Sequence, residues 1–234
     1  MLSDPDSKII RAFGILNESV KPGTAQYGIP YPGTYIVDRQ GKVVSKYFED
    51  DFRERISVSD ILAGHYGARV DSANAAVEGK HIRLLTAAST PVAYPGHRIL
   101  LTLELDLKPK MHVYAPGVTG YIPVDWKLEE TGAAKALPVQ YPAALKLHLK
   151  PIQETVLVYQ GHVRMTREIT FGAENTLKPL VSPSGEVILK GSFRYQACDD
   201  RECYVPETVP VEWKFRFEAL DRERVPVGLQ HAGR

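Results

Sequence analysis

The residues best suited to chemistry are two cysteines, Cys198 and Cys203, which are separated by four polar residues. Strand-like sequence precedes the first and follows the second, so the segment predicts a hairpin with a four-residue loop. Facing residues in such a hairpin have Cα atoms about 4.5–5.5 Å apart, a separation that a disulfide bond tolerates. The spacing therefore favours a redox-active pair, in which one sulfur attacks a mixed disulfide and the other resolves it.

Two other interpretations of the pair stay open, and the sequence does not indicate which sulfur attacks first. A structural disulfide across so short a loop stabilises the fold by only about 2 kcal/mol. A zinc site requires further ligands, such as His112, His148 or His162, because two cysteines do not complete it. The loop 199–202 contains three acids and one base, which disfavours the thiolate unless Arg201 lies closest.

The composition excludes several classes of protein. The 234 residues are 44% hydrophobic and carry a formal net charge of +1, so no global field favours nucleic acid or an anionic membrane. No apolar run approaches the roughly 20 residues of a membrane span. We expect no bound cofactor or metal, because neither a phosphate-binding glycine loop nor a complete metal cluster is present. The start resembles no secretory signal, which predicts a cytoplasmic protein as written, or a periplasmic one if the N-terminus is truncated.

The larger part of the chain is predicted to be mainly β. Short apolar segments separated by Pro and Gly turns recur from about residue 92 to residue 217, and many alternate apolar and polar residues. This pattern is typical of an antiparallel sandwich, and we assign it to a domain over residues 81–220. Small polar residues at 66–80 predict a linker, and the tail 221–234 is expected to be flexible.

The first 65 residues alternate helix and strand signals. A helix capped by Ser3 or Asp4 is expected to precede a hairpin over residues 34–48, and a second helix is expected over residues 51–62. These signals predict a small α/β segment over residues 1–65 that precedes the sandwich.

The cysteine segment resembles the amino-terminal, immunoglobulin-like domain of DsbD, the bacterial thiol:disulfide interchange protein. The shared pattern consists of Tyr195, Gln196, Cys198, Cys203, Tyr204, Pro206, Glu207 and Thr208. Weaker similarity extends upstream to about residue 90, including Met111–Tyr114 and the strand around Tyr159. The loop between the cysteines is one residue shorter than in the best-known member of that family.

This resemblance implies roles for individual residues. Cys198 and Cys203 would exchange electrons with another thiol protein, such as a thioredoxin-like domain. His112 and Tyr114 would lie in a pocket near the sulfurs. Residues 150–153 would form a cap over the sulfurs, and Ile152 would be the apolar residue of this cap that shields them. The remaining pocket or cap candidates are Tyr195, Tyr204 and Pro206.

The amino-terminal stretch is similar to the second half of a redoxin of the AhpC/TSA type, through residues 2–6, 12–14, 32–38 and 41–43. This resemblance implies that residues 1–65 are a partial α/β, thioredoxin-like fragment, which would expose an unpaired strand edge and an apolar face. That family needs a peroxidatic thiolate, yet residues 1–197 contain no cysteine. Peroxidase activity is therefore not expected. We interpret the chain as a truncated reading frame of a longer redoxin–DsbD-like fusion. Alternatively, the half-domain docks a partner, or it borrows its missing strands from a second copy and so forms a homo-oligomer.

Overall fold

The computed structural model describes residues 4–49, 55–56, 58, 61–62, 66, 73–149 and 153–219. The chain divides into two compact units, residues 1–56 and residues 57–234. The predicted flexible tail at 221–234 lies outside the described residues, and so do most residues of the predicted helix at 51–62.

The described part of the smaller unit contains a short helix, a β-hairpin and a two-residue strand. Its elements are α1 (Lys8–Ala12), β1 (Gly33–Val37), β2 (Val43–Phe48) and β3 (Arg55–Ile56). Strands β1 and β2 pair antiparallel. The Asp38 carboxylate closes the turn between them by accepting the backbone N–H groups of Gln40 and Lys42, each at 2.9 Å.

The structure differs from the sequence prediction at two helices of this region. Helix α1 begins at Lys8, with Ser7 at its N-cap, although we predicted a helix capped by Ser3 or Asp4. Asp4 still caps this end, because its carboxylate accepts the N–H groups of Lys8 and Ile10 at 3.0 Å. Within the predicted second helix, Arg55 and Ile56 form the extended β3, whereas the described residues Val58, Ile61 and Leu62 are helical as predicted.

The larger unit is built from strands that run almost throughout in antiparallel pairs. In chain order they are β4 (Ala73–Glu78), β5 (Ile82–Ala88), β6 (Val92–Ala93), β7 (His97–Leu107), β8 (His112–Tyr114), β9 (Asp125–Leu128), β10 (Ala134–Ala136), β11 (Leu145–Leu149), β12 (Glu154–Gln160), β13 (His162–Phe171), β14 (Glu186–Tyr195), β15 (Ala197–Cys198) and β16 (Glu207–Phe217). A short helix, α2 (Glu174–Leu177), leads into a 3-10 turn at Lys178–Leu180.

These strands form three sheets. The first follows the order β10-β13-β7-β5-β4, and the second follows β6-β16-β14-β9, in which only the short β6 pairs parallel. The third sheet has the order β11-β12-β8-β15 and carries the cysteines. The fold is thus mainly β, an immunoglobulin-like antiparallel sandwich preceded by a small α/β unit, and the predicted fold class is confirmed.

Alternating side chains of the first two sheets meet in the main core. Strand β16 alternates strictly and buries Val209, Val211, Trp213 and Phe215, as expected for a strand with one solvated face. The opposing core residues come from β5, β7 and β13 and include Leu84, Leu101, Leu103, Leu105, Met165 and Ile169.

Part of the predicted linker is a strand of the sandwich. Residues 73–78 form β4, which pairs antiparallel with β5 along its length. The prediction failed here because strand formation by small residues depends on the neighbouring strand rather than on intrinsic propensity. The predicted linker at 66–80 therefore does not hold for residues 73–78.

The chain moves from the second sheet to the third immediately before the cysteines. Strand β14 ends at Tyr195, and after Gln196 the two residues of β15 pair with β8 instead. After the turn, the chain returns to the second sheet as β16, which pairs with β14 along its whole length. The cysteine hairpin is therefore the bent end of a long β14–β16 hairpin.

Candidate redox site

Cys198 and Cys203 face each other across the end of this hairpin and form a disulfide bond. The Tyr204 N–H donates to the Ala197 carbonyl at 2.8 Å on one side, and the Asp199 N–H donates to the Glu202 carbonyl at 3.0 Å on the other. The cysteines thus occupy the non-hydrogen-bonded position between these bonds, where side chains approach most closely. Their Cα atoms are 4.0 Å apart, somewhat closer than we predicted.

The turn between the cysteines is held by the carboxylate of Asp199. Its Oδ1 accepts the N–H groups of Arg201 and Glu202 at 2.7 and 2.9 Å, and its Oδ2 accepts the Tyr204 hydroxyl at 2.9 Å. The backbone bonds from Glu202 and Arg201, followed by the bond from Tyr204, keep the pKa of Asp199 below its ordinary value. This acid organises the loop rather than acting only as a charge that opposes a thiolate.

The two sulfurs occupy different environments. Cys198 is 1% exposed and packs into a small apolar cluster, whereas Cys203 is exposed at the surface. The cluster also contains Tyr114, Val156 and Val158. The exposed residue of the pair is therefore Cys203, and Cys198 is enclosed by its neighbours.

The hydroxyl of Tyr114 lies 3.6 Å from both sulfurs. Since disulfide sulfurs carry no hydrogen, only the hydroxyl can donate in these contacts. Burial, followed by the charge of Glu154, raises the pKa of Tyr114 above its ordinary value. The phenol therefore keeps its proton and is positioned to donate it in a hydrogen bond to either sulfur.

A second tyrosine supports the first. The rings of Tyr114 and Tyr121 stack with centroids 4.3 Å apart, and the Tyr121 hydroxyl donates to Glu154 Oε2 at 2.7 Å. That hydrogen bond is the main reason that the pKa of Tyr121 rises to about 12. The stack fixes the direction in which the Tyr114 hydroxyl points.

His112 lies directly opposite Cys198 in the pairing of β8 with β15. Its side chain is 2% exposed, and its ring meets that of Tyr114 edge to face, with centroids 5.6 Å apart. Burial lowers the pKa of His112, and the carboxylates of Asp200 and Asp199 oppose this effect. Its Nε2 has no hydrogen-bond partner among the described residues.

One face of the third sheet forms an apolar floor that ends at the disulfide. Strand pairing places Leu147 opposite Val156 and Val158 opposite Tyr114, and directly opposite residues share a face of a sheet. Leu149 also packs against this cluster. The face is therefore a buried apolar layer that ends at Cys198.

The structure brings some of the predicted site residues together and places others elsewhere. His112 and Tyr114 lie beside the disulfide, and Tyr204 contacts the turn through Asp199. Tyr195 instead lies in the main core, where its hydroxyl donates to Glu207. The reason is strand alternation, since Tyr195 and Ala197 face the core and Cys198 faces away.

The last two predicted site residues have no established contact with the sulfurs. Pro206 is half-buried between the turn and β16, and Ile152, the predicted shield, lies outside the described residues. The predicted cap over 150–153 is accordingly still a prediction.

Sequence reasoning missed Tyr121, Glu154 and the structural role of Asp199. Glu154 has a detectable signal, because alternation along β12 places it on the face of Val156 and Val158. Asp199 has one as well, since aspartate at the start of a tight turn commonly accepts backbone N–H groups. Tyr121 lies in the loop after β8, and no local pattern in the sequence marks it.

The histidines considered as zinc ligands have other neighbours. His148 Nδ1 lies 3.3 Å from the Thr155 hydroxyl, and His162 Nδ1 lies 2.7 Å from the Asp106 carboxylate. Among the described residues, no group of three or more His, Cys, Asp or Glu side chains is arranged to hold a metal ion. Nor does any helix in those parts of the chain combine the length and apolar character that a membrane crossing demands.

Comparisons with known proteins agree with both sequence resemblances. Residues 83–213 match the family described as "Thiol:disulfide interchange protein DsbD, N-terminal", and residues 1–46 match the AhpC/TSA family. No curated protein matches the chain.

Similar chains exist among solved structures. One is the crystal structure of the N-terminal periplasmic domain of ScsB from Proteus mirabilis, with 11% sequence identity and a TM-score of 0.43. The match covers 63% of this chain and 52% of that chain, so the present chain corresponds to about half of the ScsB domain. Because the first family match spans more than half of its 234 residues, the protein belongs to the family of the N-terminal domain of the thiol:disulfide interchange protein DsbD.

Proposed function

We propose that this protein exchanges electrons with a thioredoxin-like thiol protein through the Cys198–Cys203 disulfide. The observation that supports this most directly is the unequal exposure of the two bonded sulfurs. Cys203 is exposed while Cys198 is 1% exposed, so an incoming thiolate has one accessible sulfur to attack. An attacking thiolate would therefore react at Cys203, while the sulfur of Cys198 stays protected.

The exchange begins when a partner thiolate attacks Cys203 Sγ. A new disulfide forms between the partner and Cys203, the Cys198–Cys203 bond breaks, and Cys198 leaves as a thiolate. The Tyr114 hydroxyl, 3.6 Å from Cys198 Sγ, donates a hydrogen bond to the developing charge. A second partner thiolate then attacks the partner sulfur of the mixed disulfide and releases reduced Cys203.

The surface around Cys203 suits a partner with an apolar contact patch and basic groups at its rim. Val205 is 84% exposed two residues after Cys203, and Asp200 and Glu202 are exposed on the turn. Apolar contact supplies affinity, and complementary charge orients the encounter. A thioredoxin-like domain with a basic rim around its reactive cysteine fits this description.

The alternative function is a non-catalytic binding module whose disulfide only locks the hairpin. The burial of Cys198 among Val156 and Val158 favours it, because these contacts resemble a structural bond. Against it, closing so short a loop contributes only about 2 kcal/mol to a unit that already has an extensive core. Under this alternative, a double Cys→Ser variant keeps all partner binding.

The smaller unit supplies the second part of the proposal, which is self-association. Phe13, Val37 and Val44 are 61%, 55% and 52% exposed, more apolar surface than a two-stranded hairpin usually leaves to water. We infer that a second copy covers it. Size-exclusion chromatography with light scattering tests this point: a dimer or higher oligomer is expected, and a stable monomer at all concentrations contradicts it.

Trapping of the mixed disulfide tests the exchange itself. The Cys198→Ser variant keeps the accessible sulfur as a thiol. We expect it to form a covalent complex with a thioredoxin-like protein whose resolving cysteine has been replaced by serine and whose remaining cysteine carries thionitrobenzoate as a mixed disulfide, because the Cys203 thiolate attacks that disulfide and displaces thionitrobenzoate. The matched control is Cys203→Ser, which keeps only the buried sulfur and should form little complex. Absence of a complex with either variant, together with a native bond that resists millimolar dithiothreitol, would overturn the proposal.

A further inference from the structure

The burial of His112 is not explained by packing alone. An imidazole at 2% exposure loses its contacts with water, and its Nε2 has no hydrogen-bond partner among the described residues. Leaving a buried polar atom unpaired costs about 1–3 kcal/mol, and such atoms in folded proteins call for an explanation. Nε2 is therefore an available proton-binding atom within the apolar cluster that surrounds the buried sulfur.

The register of the third sheet places the side chain of His112 beside that of Cys198, and in the oxidised protein Nε2 makes no hydrogen bond to either sulfur. His112 and Cys198 are directly opposite each other in the β8–β15 pair, so their side chains share one face with Cβ atoms about 4.5–5.5 Å apart. On the other side, the residue opposite His112 is the uncharged Gln160 of β12. The charged groups that act on the ring come from the turn, and they are the carboxylates of Asp200 and Asp199.

The other groups near the disulfide are poorly suited to exchange a proton near neutral pH. Tyr114 holds its proton because burial raises its pKa. Asp199 stays ionised because the backbone N–H groups of the turn lower its pKa. A histidine has an ordinary pKa of about 6.5, and burial lowers the pKa of His112 below that value. His112 is therefore the group that can both bind and release a proton at mildly acidic pH.

We propose, on the basis of the exchange function above, that His112 carries the proton of the buried sulfur. When a partner thiolate attacks Cys203 Sγ, the S–S electron pair leaves with Cys198 as a thiolate. Protonated His112 then gives its Nε2 proton to Cys198, which leaves a neutral thiol and a neutral imidazole in the apolar cluster. In the reverse direction, neutral His112 takes the proton back, and the Cys198 thiolate attacks the mixed disulfide at Cys203 and releases the partner's thiolate.

This arrangement has a consequence for pH dependence that a structural histidine lacks. The rate of disulfide reduction, divided by the concentration of attacking thiolate, should be constant for a simple disulfide. Here it should be high where His112 is protonated and fall as pH rises through the pKa of His112. The total fall should be about a hundredfold, the lower end of what a positioned general acid contributes.

The test measures reduction of the oxidised protein by dithiothreitol between pH 4 and pH 8, a range that extends well below 6.5 because burial lowers the pKa of His112. For the His112→Gln variant we expect a normalised rate that no longer changes with pH. The matched control is His148→Gln, because His148 is exposed on the same sheet; it should keep the wild-type profile. A wild-type profile that is flat, or one that persists in His112→Gln, overturns the proposal.

A second measurement does not depend on the folding of a variant. Histidine titration of the wild-type protein by NMR should show that the pKa of His112 changes between the oxidised and reduced states, because only the reduced state contains a titrating sulfur beside it. An unchanged pKa contradicts the proposal. If the protein exchanges electrons with its partner but shows neither the pH-dependent rate nor the change in the pKa of His112, the proposed role of His112 is wrong and the exchange function is kept. If the protein exchanges no electrons, the proposed exchange function is itself wrong.

Discussion

Replacing Tyr114 with phenylalanine removes the hydroxyl that lies 3.6 Å from both sulfurs and leaves the ring stack in place. In the oxidised protein this substitution costs little stability, because disulfide sulfurs are weak hydrogen-bond acceptors. During exchange, however, Cys198 develops a full negative charge in an apolar cluster, and a hydrogen bond to a charged group contributes about 1.5–3 kcal/mol. The Tyr114→Phe variant should therefore be reduced about 10–150 times more slowly.

Stopped-flow reduction by excess dithiothreitol at pH 7 measures this effect, with the thiols counted by alkylation after acid quenching. Tyr121→Phe is the control, because it removes a hydroxyl from the same ring stack that bonds to Glu154 rather than to sulfur. We expect this control to react within about threefold of the wild-type rate. Equal rates for Tyr114→Phe and wild type, or equal slowing in both variants, would refute the role of the Tyr114 hydroxyl.

Three further predictions concern neighbouring residues. Val205→Asp should change the free energy of unfolding by less than about 0.5 kcal/mol, because Val205 is 84% exposed. The variant should exchange more slowly with a thioredoxin-like partner but be reduced by dithiothreitol at the wild-type rate. Equal slowing with both reductants would argue against a role of Val205 in docking. Asp199 has a lowered pKa, so its contribution to stability is present above its ordinary value of about 3.8 and is lost as pH falls through the lowered value. Thermal melting between pH 2 and pH 7 should accordingly show a smaller loss of stability in acid for Asp199→Ala than for wild type, and parallel curves would contradict this. Tyr195→Phe should destabilise the fold by about 1–3 kcal/mol in urea denaturation, because Glu207 loses the hydrogen bond from the buried Tyr195 hydroxyl. The rate of disulfide reduction should equal that of the wild type. A changed rate would indicate that Tyr195 belongs to the redox site.

The hairpin and the sandwich could be predicted from sequence because both are recorded in local patterns. Cys198 follows an extended segment and Cys203 precedes one, and the alternation of Val209, Val211, Trp213 and Phe215 in β16 matches the two-residue period of a strand. Such signals need no knowledge of the neighbouring strands.

The features that define the chemistry depend on long-range pairing. Strand β4 becomes a strand because β5 lies beside it, and its own residues give no such signal. Cys198 is buried because β8 and β12 lie alongside it, which no pattern near the cysteines reveals. The prediction that Tyr195 lies in the redox site was wrong for another reason. Its closeness to Cys198 in sequence suggested a shared site, but strand alternation places the side chains of Tyr195 and Cys198 on opposite faces of the chain.

The equilibrium reduction potential of the Cys198–Cys203 pair, measured in glutathione buffers at pH 7, tests the central claim most directly. Proteins that exchange thiols and disulfides have potentials between about −270 and −120 mV, and we expect a value in this range. A potential below about −300 mV, typical of structural disulfides, would contradict the assignment of this bond as redox-active.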